Sequence, residues 1–533
     1  MHKLWQIPLY AWLAAVFPIA SISARNLGQA EAVWIATAIA VALAAATALA
    51  IVYRTISKSW SRAGLAVLVT VLVFYGYGPV GGLAEAYWLD ASEVVSQRFF
   101  VDHAPIILSL SWALLLVAGV TVAVRIREEV ALRAAGPLNL AASLLIVFSL
   151  AQAAAPGTVA AEDSPLAAAG RVTFDDGDVA ADIVADVTEG PDIYVIVLDG
   201  YARGDVLSEY YGFDNSAFIG ALSEKGFSVI DGSNANYNWT FLSLASSLNM
   251  NYLPEVIEWP MPLLSRDRTE PYEAIRDNSV AKFLRRQGYD FVQLQSSWGA
   301  TKANPHADDL VPCSGSLFTN EYFRAIVEAS WLRALGAYAG ESLAGCHLTN
   351  FESLAALGAR GGPKLVFAHF ILPHHPYLFD SEGNVLSDAT IANQFDFQAR
   401  LWEDRASYVE QLVFVNRAVM TAVSEILESS AEPPIVLIHS DHGPNIVDGL
   451  GEEERLRVRL ANFAAYYAPG VDGDLIPDGE SPVNYFRHIF NEYFGANLPV
   501  LESRYFFSPY RQPYNLSEVT SVVRPLDLPR EAK

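Results

Sequence analysis

The stretch IYVIVLDG, residues Ile193 to Gly200, decides the fold. Its six consecutive apolar residues have the length of a strand. An apolar run without alternation is typical of a strand buried on both faces of a parallel sheet. Asp199 and Gly200 end the run with a carboxylate and a turn residue. A sheet covered on both faces needs helices above and below it, so we expect an α/β fold around this strand.

Further strand-like and helix-like segments alternate along the second half of the chain. The apolar runs of strand length cover residues 289–297, 364–372, 434–440 and 460–470. The helix-like segments cover residues 216–226, 280–288, 408–429 and 483–495. This alternation predicts an α/β sandwich with a mostly parallel central sheet and helices on both faces.

The first 155 residues have a different composition. They contain nine Lys or Arg and seven Asp or Glu, together with five long apolar segments. These segments lie near residues 4–21, 32–53, 64–87, 104–124 and 138–155. Each approaches or exceeds the roughly 20 residues that a helix needs to cross a bilayer. We therefore predict a transmembrane domain of about five helices over residues 1–155.

The charges of the loops between these segments predict an orientation. The second and fourth loops carry six basic residues, Arg54, Lys58, Arg62, Arg125, Arg127 and Arg133. Positively charged loops remain cytoplasmic, so the amino terminus is expected inside and residues after 155 outside. The expected location is the cytoplasmic (inner) membrane, with several spans and an extracytoplasmic catalytic domain.

The remainder of the chain carries 26 basic and 52 acidic residues, and such an acidic surface argues against nucleic acid as a partner. Residues 156–190 are rich in Ala, Asp and Gly and are expected to form an acidic flexible linker. We place the catalytic domain at residues 191–505 and a Pro-rich, irregular surface tail at 506–533.

Two cysteines, Cys313 and Cys346, occur in the exported part. They permit a disulfide in an oxidising compartment, although two unrelated buried thiols are the alternative.

Two of the predicted strands end in groups that bind metals. Ligands of open α/β sheets bind beyond the carboxyl ends of the strands. Asp199 follows one strand, and Asp441 with His442 follows another in the stretch IVLIHSDHG. Each carboxylate alone could cap a turn or a helix. Together with an imidazole they predict a divalent-metal site.

Thr240 is the candidate nucleophile. It stands where an irregular polar stretch becomes an apolar helix-like segment, so its simplest role is a helix N-cap. A hydroxyl at this place also lies beside the free N–H groups that bind phosphate-like anions. A metal that lowers the pKa of the hydroxyl would make Thr240 a nucleophile.

His374 and His375 follow the strand at 364–372 between two prolines. We expect at least one of them to face the ligand, as proton donor or phosphate contact. Arg203, Asn236 and His439 are candidate substrate-binding residues. Arg203 could instead pair with Asp205, and His439, inside a strand, could belong to the core.

The stretches DIYVIVLDGYARGD, NANYNWTFLSLASSLNM, PHHPY and HSDHG resemble, in this order, the motifs of the alkaline phosphatase superfamily in its sulfatase-like branch. The similarity runs from about Asp192 to Leu498. Five spans before an exported domain is similar to the layout of lipoteichoic acid synthases (phosphoglycerol transferases) and lipid A phosphoethanolamine transferases.

This resemblance implies that Asp199, Thr240, Asp441 and His442 bind one shared metal. It also implies that Thr240 becomes phosphorylated and that His374 contacts the substrate phosphate or leaving group. Phosphoglycerol transferases usually have Glu in place of Asp199, so the metal can differ, and this donor set suits Zn²⁺ or Mn²⁺. The Cys-x-Pro-x-Arg or Ser-x-Pro-x-Arg context of true sulfatases is missing around Thr240, which weighs against sulfuric ester hydrolysis.

Three functions follow from these observations. The first is a membrane-anchored transferase that moves phosphoglycerol or phosphoethanolamine from a membrane lipid donor to an envelope glycan or lipid acceptor. The second is a hydrolase of the same superfamily, a phosphodiesterase, phosphatase or sulfatase. The third is a non-catalytic envelope membrane protein, which the intact set of four metal-binding residues opposes.

Overall fold

In the computed structural model the chain divides into two compact units. Unit 1 contains residues 1–156 and 321–336, and unit 2 contains residues 157–320 and 337–533. The structure describes residues 7–26, 32–91, 98–154, 190–262, 265–313, 320–386, 402–446, 448–510 and 512–523. The predicted linker at 156–190 lies outside the described residues, except for residue 190.

Unit 1 contains the five apolar segments as helices. They are α1 (Tyr10–Arg25), α2 (Ala32–Ser57), α3 (Trp60–Ala91), α4 (Arg98–Arg125) and α5 (Glu128–Ala154). Four of them contain stretches long and apolar enough to cross a membrane, at Ala32–Ser57, Trp60–Val80, Ile107–Arg125 and Glu128–Gln152. Helix α1 has 16 residues, which span about 24 Å against a hydrocarbon core of about 30 Å. The predicted count of five spans is therefore not confirmed.

Unit 1 also includes a short segment from much later in the chain. Helix α12 (Glu321–Glu328) and the 3₁₀ turn Trp331–Leu335 pack against α1, α2 and α3. Tyr322 shares a hydrogen bond of 2.9 Å with Ser23, and the ring of Trp331 stacks on Tyr77.

The backbone of Glu328 approaches α3 so closely that a side chain at Gly78 would overlap its carbonyl oxygen. The same addition at Gly76 would meet open space. Gly78 therefore allows this contact within unit 1.

The structure also joins Cys313 to Cys346 by a disulfide bond. Residues 321–336 lie in the sequence between these two cysteines.

Unit 2 is built on a central sheet with helices on both faces. Its described strands are β1 (Ile193–Leu198), β2 (Ser228–Val229), β3 (Asp290–Leu294), β4 (Asp309–Val311), β5 (Lys364–Phe370), β6 (Ile435–His439), β7 (Ala464–Tyr467), β8 (Phe506–Phe507) and β9 (Ser517–Glu518). The first seven form one sheet in the order β2-β7-β6-β1-β5-β3-β4, and β8 pairs with β9. Only β7 pairs antiparallel, with β6 and β2, among the described strands of the larger sheet. The predicted α/β fold with a mostly parallel sheet is present.

The described α-helices of unit 2 flank this sheet. They are α6 (Gly204–Tyr211), α7 (Ser216–Glu224), α8 (Thr240–Ser247), α9 (Thr269–Arg276), α10 (Ser279–Arg286), α11 (Gly299–Lys302), α13 (Gly336–Ala356), α14 (Arg405–Ser429), α15 (Glu452–Leu460), α16 (Pro482–Phe494) and α17 (Thr520–Val523). Helix α13 begins at residue 336, the last of unit 1.

Strand β1 separates two hydrophobic cores. Ile193, Val195 and Val197 pack into the core formed with α8, α9, α10 and α16. The alternate residues, Tyr194 among them, pack into the core formed with α6, α7, α13 and α14. All six residues of β1 are buried, which explains why its sequence is apolar without alternation.

The interpretation of residues after 505 as an irregular surface tail is wrong for the described residues 506–510 and 512–523. Phe506 stacks on Tyr237, and Tyr514 is fully buried. The backbone of Ser508 makes two hydrogen bonds of 3.0 Å with the side chain of Asn238. This segment covers the residues that precede Thr240, and residues 524–533 lie outside the described part of the chain.

Glu480 fixes the beginning of α16, the helix that packs against α8. Its carboxylate accepts hydrogen bonds from the Ser481 N–H, Asn484, Ser503 and His488. Burial opposes its ionisation, but these four donors outweigh burial and lower the pKa of Glu480 below its usual value. The carboxylate therefore stabilises the fold when it is ionised.

We expect Glu480→Gln to reduce the free energy of unfolding at pH 7 by about 1–3 kcal/mol, because charge-assisted hydrogen bonds are lost. A lowered folded pKa gives stability that is present above the unfolded pKa and disappears as pH falls through the folded pKa. The difference from the wild type should be constant from pH 5 to 8 and shrink below about pH 4. Urea unfolding across this range measures it, with the exposed Glu492→Gln as the matched control. A difference that persists unchanged in acid would contradict the role of this carboxylate.

Candidate metal centre and nucleophile

The two carboxylates meet because the strands that carry them are neighbours. Strands β1 and β6 pair in parallel with Val197 opposite His439, so Asp199 and Asp441 leave the same edge of the sheet two residues later. The Gly200 N–H donates a hydrogen bond of 3.0 Å to Asp441 Oδ1. This bond orients the Asp441 carboxylate and leaves its second oxygen, Oδ2, for another partner.

Gly443 lets the metal-binding loop lie directly against the end of α15. A side chain at this position would overlap the carbonyl oxygen of Val458 and come within 2.6 Å of the Ala461 carbonyl oxygen. The Gly443 N–H donates to the carbonyl oxygen of Arg459 over 2.8 Å. The glycine is required for this close packing, in addition to the turn expected from the sequence.

Thr240 is the first residue of α8, and its hydroxyl is not used as a helix cap. The N-cap residue is Trp239, which makes no side-chain capping bond. One turn later, the Ser243 hydroxyl donates to the carbonyl oxygen of Asp441 over 2.7 Å. This bond fastens the first turn of α8 to the metal-binding loop and places Thr240 beside His442.

Three oxygen atoms converge on one nitrogen of His442. Thr240 Oγ1 lies 3.1 Å from His442 Nε2, Asp441 Oδ2 lies 3.2 Å from it and Asp199 Oδ1 lies 3.8 Å from it. Ligand atoms of the two carboxylates and the imidazole all lie within 4.8 Å of one another. The structure therefore brings together the four residues predicted as metal ligands.

The protonation of His442 indicates what this cluster lacks. Its Nδ1 lies 3.0 Å from the carbonyl oxygen of Gly443 and must carry the proton to donate there, which leaves a lone pair on Nε2. Asp199 Oδ1 and Asp441 Oδ2 are buried and have no hydrogen-bond partner among the described residues. Lone pairs that face one another in a buried space need a cation between them. Two carboxylates, an imidazole and a hydroxyl are donors that fit one divalent ion.

Burial shifts the pKa values of the two carboxylates and the imidazole in this cluster. It raises the pKa of Asp199 to about 7. Burial and the neighbouring Asp199 charge raise the pKa of Asp441 to about 7 as well. Burial and the positive charge of Arg459 hold the pKa of His442 well below its usual value. A bound cation would favour the ionised carboxylates and the neutral imidazole at neutral pH.

His374 and His375 lie at the end of β5, and both rings pack against Trp402. The backbone N–H of His374 donates to the backbone carbonyl oxygen of Asp199 over 3.1 Å, so this residue adjoins the carboxylate cluster. Its Nδ1 lies 2.5 Å from the carbonyl oxygen of His375 and must donate to it, which leaves Nε2 for a substrate. His375 is 3% exposed, and its Nε2 has no hydrogen-bond partner among the described residues.

The candidate substrate-binding residues do not join this cluster. Arg203 forms a bidentate ion pair with Asp205 and donates its remaining nitrogen to Ser233 and Asn234. Asn236 donates to the Arg504 carbonyl oxygen and accepts from the Val483 N–H. His439 is buried in β6 against Tyr485. The polar groups of Arg203 and Asn236 are used within the fold, where each side chain holds a loop or helix end in place. His439 Nδ1 faces the carbonyl oxygen of Ser440, and its Nε2 has no hydrogen-bond partner among the described residues.

Sequence reasoning missed several residues that support the cluster. Gln411 of α14 donates to the carbonyl oxygens of Pro373 and His374. Asn462 donates to the carbonyl oxygen of Ser440 over 2.9 Å. Arg459 of α15 is buried beside Trp239. No local pattern marks these residues, since their partners lie far away in the sequence.

No protein-family model and no curated protein matches this sequence. Among solved structures, the chain is similar to the C-terminal periplasmic domain of EcEptC from Escherichia coli, with 14% identity, 64% of this chain and 96% of that chain covered, and a TM-score of 0.41. It is similar to the corresponding domain of phosphoethanolamine transferase EptC from Campylobacter jejuni, with 13% identity, coverages of 61% and 94%, and a TM-score of 0.37. It is also similar to an alkaline phosphatase superfamily protein from Vibrio parahaemolyticus, with 11% identity, coverages of 64% and 80%, and a TM-score of 0.38. These structures are similar to the present one in their fold.

Proposed function

We propose that this protein is a metal-dependent phosphoryl-group transferase that uses Thr240 as its nucleophile. The observation that carries the proposal is the position of the Thr240 hydroxyl, 3.1 Å from His442 Nε2 and at the beginning of a helix. The N–H groups of Leu242 and Ser243 donate to Trp239, whereas those of Thr240 and Phe241 have no acceptor among the described residues. Free N–H groups at a helix start favour a phosphate-like anion beside the hydroxyl.

Asp199, Thr240, Asp441 and His442 would hold one divalent ion, Zn²⁺ or Mn²⁺. Such an ion lowers the pKa of a coordinated hydroxyl and withdraws charge from a phosphoryl oxygen. The Gly200 N–H and the Ser243 hydroxyl hold the side chain and the backbone of Asp441 in place. Gly443 and α15 hold the backbone beside His442.

The proposed reaction has two half-reactions. Thr240 loses its proton to solvent, and its oxygen forms a bond to the phosphorus of a phosphodiester as the bond to the leaving alcohol breaks. The leaving oxygen takes its proton from solvent, because burial lowers the pKa of His374 to about 4 and the proton of its neutral ring lies on Nδ1, bound to the His375 carbonyl oxygen. In the second half-reaction the unprotonated His374 Nε2 takes a proton from the acceptor hydroxyl, whose oxygen then displaces Thr240 from phosphorus. His375, packed against Trp402 and nearly fully buried, supports the loop in this scheme.

The donor that fits a membrane-anchored site is a phospholipid headgroup, and the acceptor is a sugar or lipid of the cell envelope. Helices α2 to α5 contain stretches long enough to act as the anchor. With the amino terminus inside, as the basic loops predict, and with α1 as a fifth span, unit 2 would lie outside the cytoplasm. A hydrolase would use the same residues, with water as the acceptor.

Intact-mass spectrometry of the full chain tests the proposal. The protein would be reconstituted in detergent with Zn²⁺ or Mn²⁺ and mixed with phospholipids of different headgroups. We expect an adduct whose mass identifies phosphoglycerol or phosphoethanolamine. Cleavage of the lipid to a free headgroup without transfer to any acceptor would establish the hydrolase. Bound metal with neither adduct nor cleavage would contradict the proposed substrate class, and absence of bound metal would favour a non-catalytic protein.

A further inference from the structure

Helix α15 places a buried arginine next to the metal centre. Arg459 is 4% exposed, although its neighbours in the sequence EEERLRVRL are mostly charged. Its guanidinium lies over the ring of Trp239, with its central carbon 5.0 Å from the ring centroid. A position over an aromatic face stabilises the charge of the guanidinium.

The hydrogen bonds of Arg459 join the two segments that form the site. Nε donates over 2.9 Å to the carbonyl oxygen of Asn238, two residues before Thr240. Nη1 donates over 2.8 Å to the carbonyl oxygen of Gly443, directly after His442. The guanidinium therefore lies between the start of the nucleophile helix and the metal-binding loop. Its charge acts on Asp199, Asp441, His374 and His442.

Arg459 forms no ion pair with a described carboxylate, and the charges of Asp441 and Asp199, the proposed metal ligands, act on it from a longer distance. No described carboxylate oxygen lies within 4.0 Å of its guanidinium, whereas the more exposed Arg203, Arg285, Arg360 and Arg504 all form ion pairs. Its two hydrogen bonds go to neutral carbonyl groups, and Nη2 has no acceptor among the described residues. A buried positive charge without a counter-ion is costly. Because the charges of Asp199 and Asp441 are assigned to the proposed metal ion, a buried arginine without an ion pair beside the nucleophile indicates that an anionic ligand supplies its counter-charge.

We propose that Arg459 binds the phosphate group that Thr240 accepts, with Nη2 donating to a non-bridging oxygen. This inference rests on the proposed function and adds a substrate-binding residue to it. The anion would supply the counter-charge that no ion pair among the described residues provides. Because Nε and Nη1 are already bound to the two segments of the site, the third nitrogen is held in place before the substrate arrives.

Equilibrium dialysis of the full-length, metal-loaded protein against labelled inorganic phosphate tests this role without requiring turnover. Loss of a charge-assisted hydrogen bond predicts that Arg459→Gln binds phosphate about 10- to 100-fold more weakly. Arg457→Gln on the same helix is the matched control and should bind phosphate as the wild type does, since Arg457 is 43% exposed and contacts Glu453 and Val522. Metal content should be unchanged in both variants.

Arg459→Lys retains the charge but replaces the planar fork with a single ammonium group. We expect it to bind phosphate with an affinity between those of the wild type and Arg459→Gln, and it carries the test if the Gln variant does not fold. Wild-type phosphate affinity in either variant would overturn the proposal. Loss of metal from Arg459→Gln would also overturn it, because the residue would then act by positioning the loop at Gly443.

The outcome is separable from that of the proposed function. If the wild type forms the Thr240 adduct but Arg459→Gln binds phosphate normally, only the role of Arg459 fails. If phosphate binding depends on Arg459 but no lipid gives an adduct, the anion site stands and the transferase proposal fails.

Discussion

Thr240→Ala is expected to abolish formation of the phosphorylated intermediate and to reduce headgroup transfer by at least about 10³-fold, because no other group can take the place of a covalent nucleophile. The hydroxyl lies 3.1 Å from His442 Nε2, and no other described hydroxyl side chain lies within hydrogen-bonding distance of that nitrogen. The measurement is the transfer of a labelled headgroup, read together with the intact mass of the protein.

The structure also predicts that this variant folds normally. Thr240 is only partly buried and makes no capping bond, so removal of its hydroxyl leaves α8 intact. Thr240→Ser keeps a hydroxyl on the same carbon and should retain most of the activity. Transfer by Thr240→Ala at the wild-type rate would show that phosphoryl chemistry proceeds by direct attack of the acceptor. Equal loss in the Ser variant would indicate that the methyl group, and not the hydroxyl, is essential.

Asp441→Asn is expected to remove the metal and to reduce activity by about 100-fold or more. Changes in groups that merely orient metal ligands already reduce affinity by about 10- to 100-fold, and Asp441 is itself a proposed ligand. The substitution is nearly isosteric, so the hydrogen bond from the Gly200 N–H to Oδ1 can remain. Only the charge of the carboxylate and the free Oδ2 are lost.

Bound metal per chain, measured by elemental analysis after dialysis, gives a readout independent of activity. Heating experiments add a second readout, because a ligand that binds only the folded state raises the melting temperature. The wild type should be stabilised by added Zn²⁺ or Mn²⁺, and Asp441→Asn should not. Asp448→Asn, an exposed residue of the same loop, is the matched control. A full complement of metal in Asp441→Asn would refute the proposed ligand set.

The central strands were predictable from the sequence because they are buried on both faces. The runs that predicted β1, β5 and β6 contain almost no polar residues, and their ends identified Asp199, Asp441 and His442. The edge strand β4 has three residues, and β2 has two. Such short strands are defined by their neighbours in the sheet and leave no periodic pattern in the sequence.

The supporting residues could not be predicted for a different reason. The sequence around Arg459 is typical of an exposed helix, and its burial depends on Trp239, which approaches from more than 200 positions away in the chain. The Pro-rich composition after residue 505 suggested a surface tail, but the partner of Ser508 is Asn238. Long-range packing decides both of these cases. Arg203 differs from them, because it pairs with Asp205 two residues later, the alternative that the sequence already offered.

The insertion of residues 321–336 into unit 1 has a consequence for biosynthesis. Helices α1 to α4 are translated long before α12, so the surfaces at Ser23, Trp34 and Tyr77 that receive Tyr322, Phe323 and Trp331 stay uncovered until the ribosome has passed residue 336. A gene fragment that stops at residue 156 encodes only part of this unit. An exchange of unit 1 between genes would have to transfer two separate pieces of coding sequence, so a single exchange after residue 156 would not move the whole unit.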